Sequence, residues 1–234
     1  MQRLRLHYAK RGRLRFTSHR DFARAFERAL VRARIPMAYS SGFNPHPRIS
    51  YAGASPTGAA SEAEYLEIGL RERLEPAAAR ERIDASLPEG LDVIDVVEAG
   101  TSSFADRMEA SVWRLVLPDV EQGEARAALE AFLATAEVPV ERMTKKGPRA
   151  FDSRAAVVAA RVLEEAPDRP GCAILEVVLR HGTPSVRPDD VLAGLREVAG
   201  LRTGAGVLAE RRAQGPLDEK TGAVGDPLAP DRDA

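Results

Sequence analysis

One cysteine in 234 residues, Cys172, excludes an internal disulfide and any cluster held by several thiolates of this chain. It sits in the apolar run CAILEVVL, where a small buried hydrophobe is the ordinary explanation. Aromatic residues are only 5% of the sequence, so its core must be built mainly from Leu, Val, Ile and Ala. The four histidines, His7, His19, His46 and His181, stand at no zinc-ligand spacing from Cys172 or from one another. No metal site and no cofactor are therefore expected. No apolar run approaches the roughly 18 residues of a membrane-spanning helix, and Met1 leads into the charged alternation QRLRL rather than an apolar signal segment. The expectation is a cytoplasmic protein that does not use a membrane. HRD at residues 19–21 lacks the downstream Asn and Asp-Phe-Gly of a kinase, and Gly204, Gly206 and Gly215 lack dinucleotide-binding spacing.

What the chain has is charge, unevenly placed. The formal net charge is −1, yet residues 1–50 hold 12 Lys or Arg against 2 Asp or Glu, and residues 51–110 hold 5 against 13. A basic amino-terminal stretch of this kind is the footprint of a polyanion-binding surface.

Periodicity gives the organisation. RLRLHYA and RLRF, at 3–9 and 13–16, alternate as strands around a Lys-Arg-Gly turn, and Ser18 with Asp21 marks a helix start. That helix should run from about 19 to 34 and stop before Pro36. A strand at 37–40 or 48–52, a strand AEYLEIGL, a helix EPAAARERIDASL and a strand LDVIDVVEA complete the order βαββαβ. After a hinge at Gly100–Ser103 come a strand SVWRLVLP, a helix EARAALEAFLATA, and paired strands VPVERMTKK and AAVVAARVL. The strand CAILEVVL, a helix RPDDVLAGLREVA and a last strand at 203–213 follow. The expected fold is α+β, two tandem ferredoxin-like domains at 1–100 and 108–213, each an antiparallel sheet with helices on one face. Residues 214–234, rich in Pro, Gly and Asp and without apolar periodicity, read as a disordered tail.

Two features carry candidate chemistry. On the 19–34 helix, Arg20, Arg24, Arg28 and Arg32 project within about 120° of one another, opposite Phe22, Phe26, Ala29, Leu30 and Ala33. Four like charges on one ridge repel unless an anion relieves them, and Asp21 and Glu27 are too few to do so. A solvated surface is the plain alternative. The loop SSGFNPHPRISY follows, in which Pro45 and Pro47 hold His46 with little backbone freedom to lose on binding. Gly42 and Gly53 permit close backbone approach, and Asn44, Arg48, Ser50, Tyr51 and Ser55 add polar contacts. A carbonyl-bonded structural histidine is the competing reading of His46. Lys145, Lys146, Arg149 and Arg154 form a second basic cluster at a Gly-Pro turn, although a Lys-rich hairpin tip is also an ordinary solubility device.

GRLRFTSHRD, AYSSGFNPHPRISYAGASPTG with SEAEYLEIGL, and KKG with a downstream DSR resemble the radical-SAM-associated domain of unknown function found beside or fused to radical-SAM enzymes. The likeness spans nearly the whole chain before residue 214 and is carried by Phe16, Ser18, His19, Asp21, Gly42, Phe43, Asn44, Pro45, His46, Pro47, Gly58, Ser61, Glu64 and Tyr65. Arg20 departs from it, standing where that family usually has an apolar residue, and the DSR segment matches in part. The resemblance implies a separate radical-SAM partner, often with genes for RNA processing and ribosomal proteins nearby. It implies no reaction for this chain, which cannot itself hold a three-cysteine iron–sulfur cluster.

The resulting expectation is an accessory RNA-binding protein that presents an anionic substrate to a radical-SAM enzyme. Its contacts would be Ser18, His19, Arg24, Arg28, Arg32, Gly42, Phe43, Asn44, His46, Arg48, Lys145, Lys146 and Arg149. A metal-independent endoribonuclease using His46 as general acid or base is one alternative. A protein-only adaptor that docks its basic helix on an acidic partner is another.

Overall fold

The structure is a computed structural model describing residues 1–100, 103–144, 147–164 and 171–232. It divides into two compact units: Met1–Met108 joined by the segment from Asp226, and Glu109–Gly225. Both are mixed α+β with antiparallel sheets. No helix among the described residues is long and apolar enough to cross a membrane.

In the first unit, β1 (Gln2–Lys10), α1 (His19–Arg32), β2 (Ile49–Ala52), β3 (Ala60–Leu70), α2 (Pro76–Asp84) and β4 (Leu91–Glu98) follow in turn. The strands lie side by side as β4-β1-β3-β2. Alternation in β1 sends Leu4, Leu6 and Tyr8 to the helix-covered face, where Phe22, Phe26 and Leu30 of α1 and Ile83 of α2 close the core. The opposite alternation carries Arg3, Arg5 and His7 to the other face. There Tyr65, Val97, Phe104 and Leu228 form a second, smaller core.

α1 ends near its expected boundary, for two reasons. Arg34 adopts φ +52, and Arg82 of α2 donates through Nε to the Ala33 carbonyl at 2.9 Å, satisfying a helix-end acceptor.

The second unit runs β5 (Ala110–Pro118), α3 (Gln122–Ala134), β6 (Pro139–Thr144), β7 (Gly147–Asp152), β8 (Val157–Leu163), β9 (Cys172–Arg180), α4 (Pro188–Ala199) and β10 (Leu208–Gly215). Its sheet order is β10-β5-β9-β8, while β6 and β7 pair only with each other. α3 packs on α4, where Gly194 leaves space for Phe132: a Cβ there would lie 2.7 Å from the ring.

Four expectations are corrected. Residues 13–16 form no strand but belong to a 3-10 turn at Gly12–Phe16, since Gly12 at φ +55 redirects the chain and the Phe16 side chain stays in water. The 139–144 strand pairs with β7, not with β8, because Gly147 at φ +107 turns the chain straight back; β8 joins β9 instead. The last strand begins at Leu208 rather than 203.

The supposed tail is ordered through residue 232. Leu217 bridges to Val224, the Leu228 side chain is fully buried, and a short helix α5 (Ala229–Arg232) carries Asp231. Asp231 accepts two hydrogen bonds from Arg5 Nη1, at 2.8 and 2.7 Å, and one from Arg107 Nη1 at 2.7 Å. Arg5 Nε also reaches Glu67 at 2.9 Å, and its guanidinium lies 4.7 Å from the centre of the Phe104 ring. Polar composition conceals such a segment because, Leu228 apart, it is held largely by polar contacts, among them Asp231 with Arg5 and Arg232 with Asp95 at 2.5 Å.

Candidate functional site

α1 starts where Ser18 caps it: Ser18 Oγ accepts from the Asp21 backbone N–H at 3.2 Å and donates to the Asp21 carboxylate at 2.7 Å. Asp21 is thus occupied at the helix end. Ser18→Ala should cost about 1 kcal/mol, the usual value of an N-cap, read as a lowered denaturation midpoint in urea. The apolar stripe Phe22, Phe26, Ala29 and Leu30 is buried, and this fixes the opposite ridge in water.

Arg20, Arg24, Arg28 and Arg32 are all exposed. Arg32 donates to the Ser86 carbonyl at 2.5 Å. Among the described residues Arg20, Arg24 and Arg28 make no ion pair or hydrogen bond. A shallow depression of about 510 Å³ is lined by Arg24, Glu27, Arg28, Val31 and Arg32.

α1 packs directly against edge strand β2. The Tyr51 ring meets His19 edge-on with centroids 4.7 Å apart and Phe22 at 5.9 Å. Burial, and then the nearby charge of Glu27, pushes the Tyr51 phenol well above its ordinary pKa.

The loop grows from the start of β2 and is pinned at its base. Ala38 N–H donates to Gly69 O and Arg48 N–H to Ala38 O, both at 2.8 Å, and Tyr39 bridges to Pro47. Higher up, Ser40 N–H donates to the His46 carbonyl at 2.8 Å while Ser40 Oγ accepts from His46 N–H at 3.0 Å. Ser41 to His46 lie in solvent, with Gly42 at φ +133 and the Phe43 side chain 103% exposed. Asn44 is exposed as well. The His46 imidazole has no hydrogen-bond partner among the described residues. Arg48 Nε donates to the Tyr39 carbonyl at 3.4 Å.

Sequence reasoning missed Lys10, gave Ser61 and Glu64 no role and read Ser55 as a polar contact of the loop, yet all four are buried polar residues of the first unit. Lys10 lies across the strand pair from Ser61, and Tyr8 across from Glu64. Glu64 Oε2 accepts from Ser55 N–H at 3.2 Å, and Ser61 Oγ from Ala63 N–H at 3.2 Å. Tyr51 Oη and Ser55 Oγ are buried without a hydrogen-bond partner among the described residues. A glutamate on the inward phase of the run AEYLEIGL was the available signal.

Of the second basic cluster, Arg149 is exposed on β7 in the second unit, opposite Arg142, whose guanidinium is taken by Asp190 at 2.7 Å. Lys145 and Lys146 lie outside the described residues. Burial lowers the pKa of His7, whose ring stacks on Tyr65 at 4.6 Å, and His181 sits 3.1 Å from Ser111 Oγ. The described residues contain no group of three or more His, Cys, Asp or Glu placed to hold a metal.

A family model described as an uncharacterized protein conserved in bacteria (DUF2344) matches residues 3–188. No curated protein matches the chain. Among solved structures it is similar to an unknown protein from Galdieria sulphuraria, at 13% identity over 90% of this chain and 98% of that one, with a TM-score of 0.27. It is also similar to the first two RRM domains of the yeast poly(U) binding protein Pub1, at 10% identity over 89% and 98%, with a TM-score of 0.22. At these scores neither likeness bears on fold or function.

Proposed function

The chain belongs to DUF2344, a bacterial family of uncharacterized proteins, and with no activity to inherit from it we propose that this protein binds RNA as an accessory factor, holding a strand along α1. One observation carries the reading: Arg20, Arg24 and Arg28 stand exposed in a row without any partner among the described residues. Some other exposed arginines do find carboxylates, while Arg13, Arg149 and Arg196 find none among the described residues; what sets the ridge apart is its spacing along one helix face. Arg73 pairs with Glu98 at 2.8 Å, Arg161 with Glu176 at 2.6 Å and Arg11 with Asp92 at 2.7 Å. Residues four apart on a helix rise about 6 Å, so a row of anions fits the ridge better than a single ion does.

Both units are read as ferredoxin-like. Each has a βαββαβ order, the second with the β6-β7 hairpin inserted, and each sets its first and third strands in the middle of the sheet. In many sheet-based RNA binders the open sheet face carries the strand. In the first unit that face is covered by Phe104, Leu228 and Asp231, which favours the helix side. The sequence resemblance supplies the rest of the proposal, a separate radical-SAM enzyme acting on the bound RNA.

The test is anisotropy of a fluorescein-labelled single-stranded RNA at low salt, with wild type and with Arg24→Glu/Arg28→Glu. Binding by the wild type that is lost in the double variant supports the reading; absence of binding, or equal binding by both, overturns it. Co-purification of a protein partner without RNA would point to the adaptor instead. RNA cleavage abolished by His46→Ala would point to the nuclease.

A further inference from the structure

The chain has 12 aromatic residues, one Trp, four Tyr and seven Phe. Nine are buried or half-buried, and the three exposed ones are Phe16, Tyr39 and Phe43. All three fall between residues 16 and 43, the stretch that also holds the arginine ridge. In a protein so short of aromatics, leaving three in water within one basic segment forgoes core material that the fold could use.

Each ring has a distinct setting. Phe16 is 59% exposed, with the Arg15 guanidinium 4.6 Å from its ring centre. Tyr39 is 53% exposed at the pinned base of the loop, where it bridges to Pro47. Phe43 touches nothing among the described residues; it stands at the loop tip after Gly42, on a backbone restrained by Pro45, Pro47 and the two Ser40–His46 hydrogen bonds. A rigidly presented ring loses little freedom when a flat partner covers it. Exposed aromatic faces within a basic segment are apparatus for unpaired bases, since every base has a π-face and the backbone phosphates can meet arginines of the same segment. A duplex keeps its bases stacked inward and cannot use such a ring.

We propose that Phe43, with Tyr39 at the loop base, is a stacking platform for an unpaired base, and that it selects single-stranded over double-stranded RNA. This rests on the RNA-binding reading above. Because the Phe43 side chain is wholly in water, Phe43→Ala should leave the fold intact.

The experiment compares one unstructured labelled RNA, alone and annealed to its complement, against wild type, Phe43→Ala, Phe43→Trp and Arg24→Glu/Arg28→Glu. The wild type should prefer the single strand. Phe43→Ala should weaken single-strand binding about tenfold, the order expected for one stacked base, leave duplex binding and the salt slope unchanged, and be rescued by Phe43→Trp. A 2-aminopurine base in the single strand should be quenched by the wild type and not by Phe43→Ala. If RNA binds and the arginine variant loses it while Phe43→Ala binds both forms as the wild type does, or weakens both equally, the stacking platform is refuted and the RNA-binding reading survives. If the wild type binds neither form, both fall together.

Discussion

Asp231→Ala is expected to lower the stability of the first unit by about 3–5 kcal/mol, the usual result of stripping one partner from a buried ion pair. The Arg5 side chain has no exposed surface, nor has that of Asp231, and Arg107 shares the same carboxylate. Removing it strips Arg5 of a carboxylate it meets twice, and Glu67, which Arg5 also reaches, is shared with Arg3. Replacing both members with apolar residues, as in Arg5→Met/Asp231→Leu, should recover part of the loss, because two desolvation penalties vanish together. Chemical denaturation followed by far-UV dichroism should read the loss as a lowered midpoint.

The same carboxylate gives a pH dependence. Burial pushes it up, but hydrogen bonds from Arg107 and then Arg5 outweigh burial and hold it at about 2, below its ordinary 3.8. A depressed folded-state pKa stabilises fully above the ordinary value. The contribution, about 2 kcal/mol, should therefore drain away as pH falls from about 4 toward 2. In Asp231→Ala that portion of the acid sensitivity should be missing.

The second large effect is electrostatic. If all four ridge arginines meet phosphates, the logarithm of RNA affinity should fall with the logarithm of salt with a slope of roughly −3, at about −0.7 per phosphate on a single strand. Arg32 is already tied to Ser86, so a slope nearer −2 would assign contact to the three unpartnered members. Arg24→Glu/Arg28→Glu removes two cations and adds two anions in the middle of the row. Binding at low salt should then disappear altogether. A denaturation midpoint equal to that of the wild type separates this from misfolding. That is expected, since neither side chain packs on the core.

How far the sequence could be read depended on the range of the interaction. Periodicity located the strands and helices whose faces are simply apolar or polar: α1 with Phe22 and Phe26 inward, β3 around Leu66 and Ile68, β9 around Cys172–Leu179. The RLRF stretch failed because alternation without a partner strand is only a pattern, and Gly12 had already turned the chain. β7 was missed since GPRAFD is scarcely apolar and is held by β6 rather than by a core. The ridge and loop were legible, being local. The Lys10, Ser61 and Glu64 group was not, because it forms only when β1 and β3 pair across more than 50 residues. Arg5 and Asp231 are 226 residues apart, and no local pattern connects them.

That distance matters during synthesis. The carboxylate that neutralises Arg5 emerges from the ribosome only after the entire second unit has been made, 123 residues after Met108. At ordinary elongation rates the first unit would wait about 6–25 s with Arg5 lacking its Asp231 partner in the second core. Up to that point the nascent chain carries an unsealed sheet face that a chaperone can hold. Once Asp231 arrives, the protein closes on itself, so a chain cut short anywhere before it would carry its own mark of incompleteness.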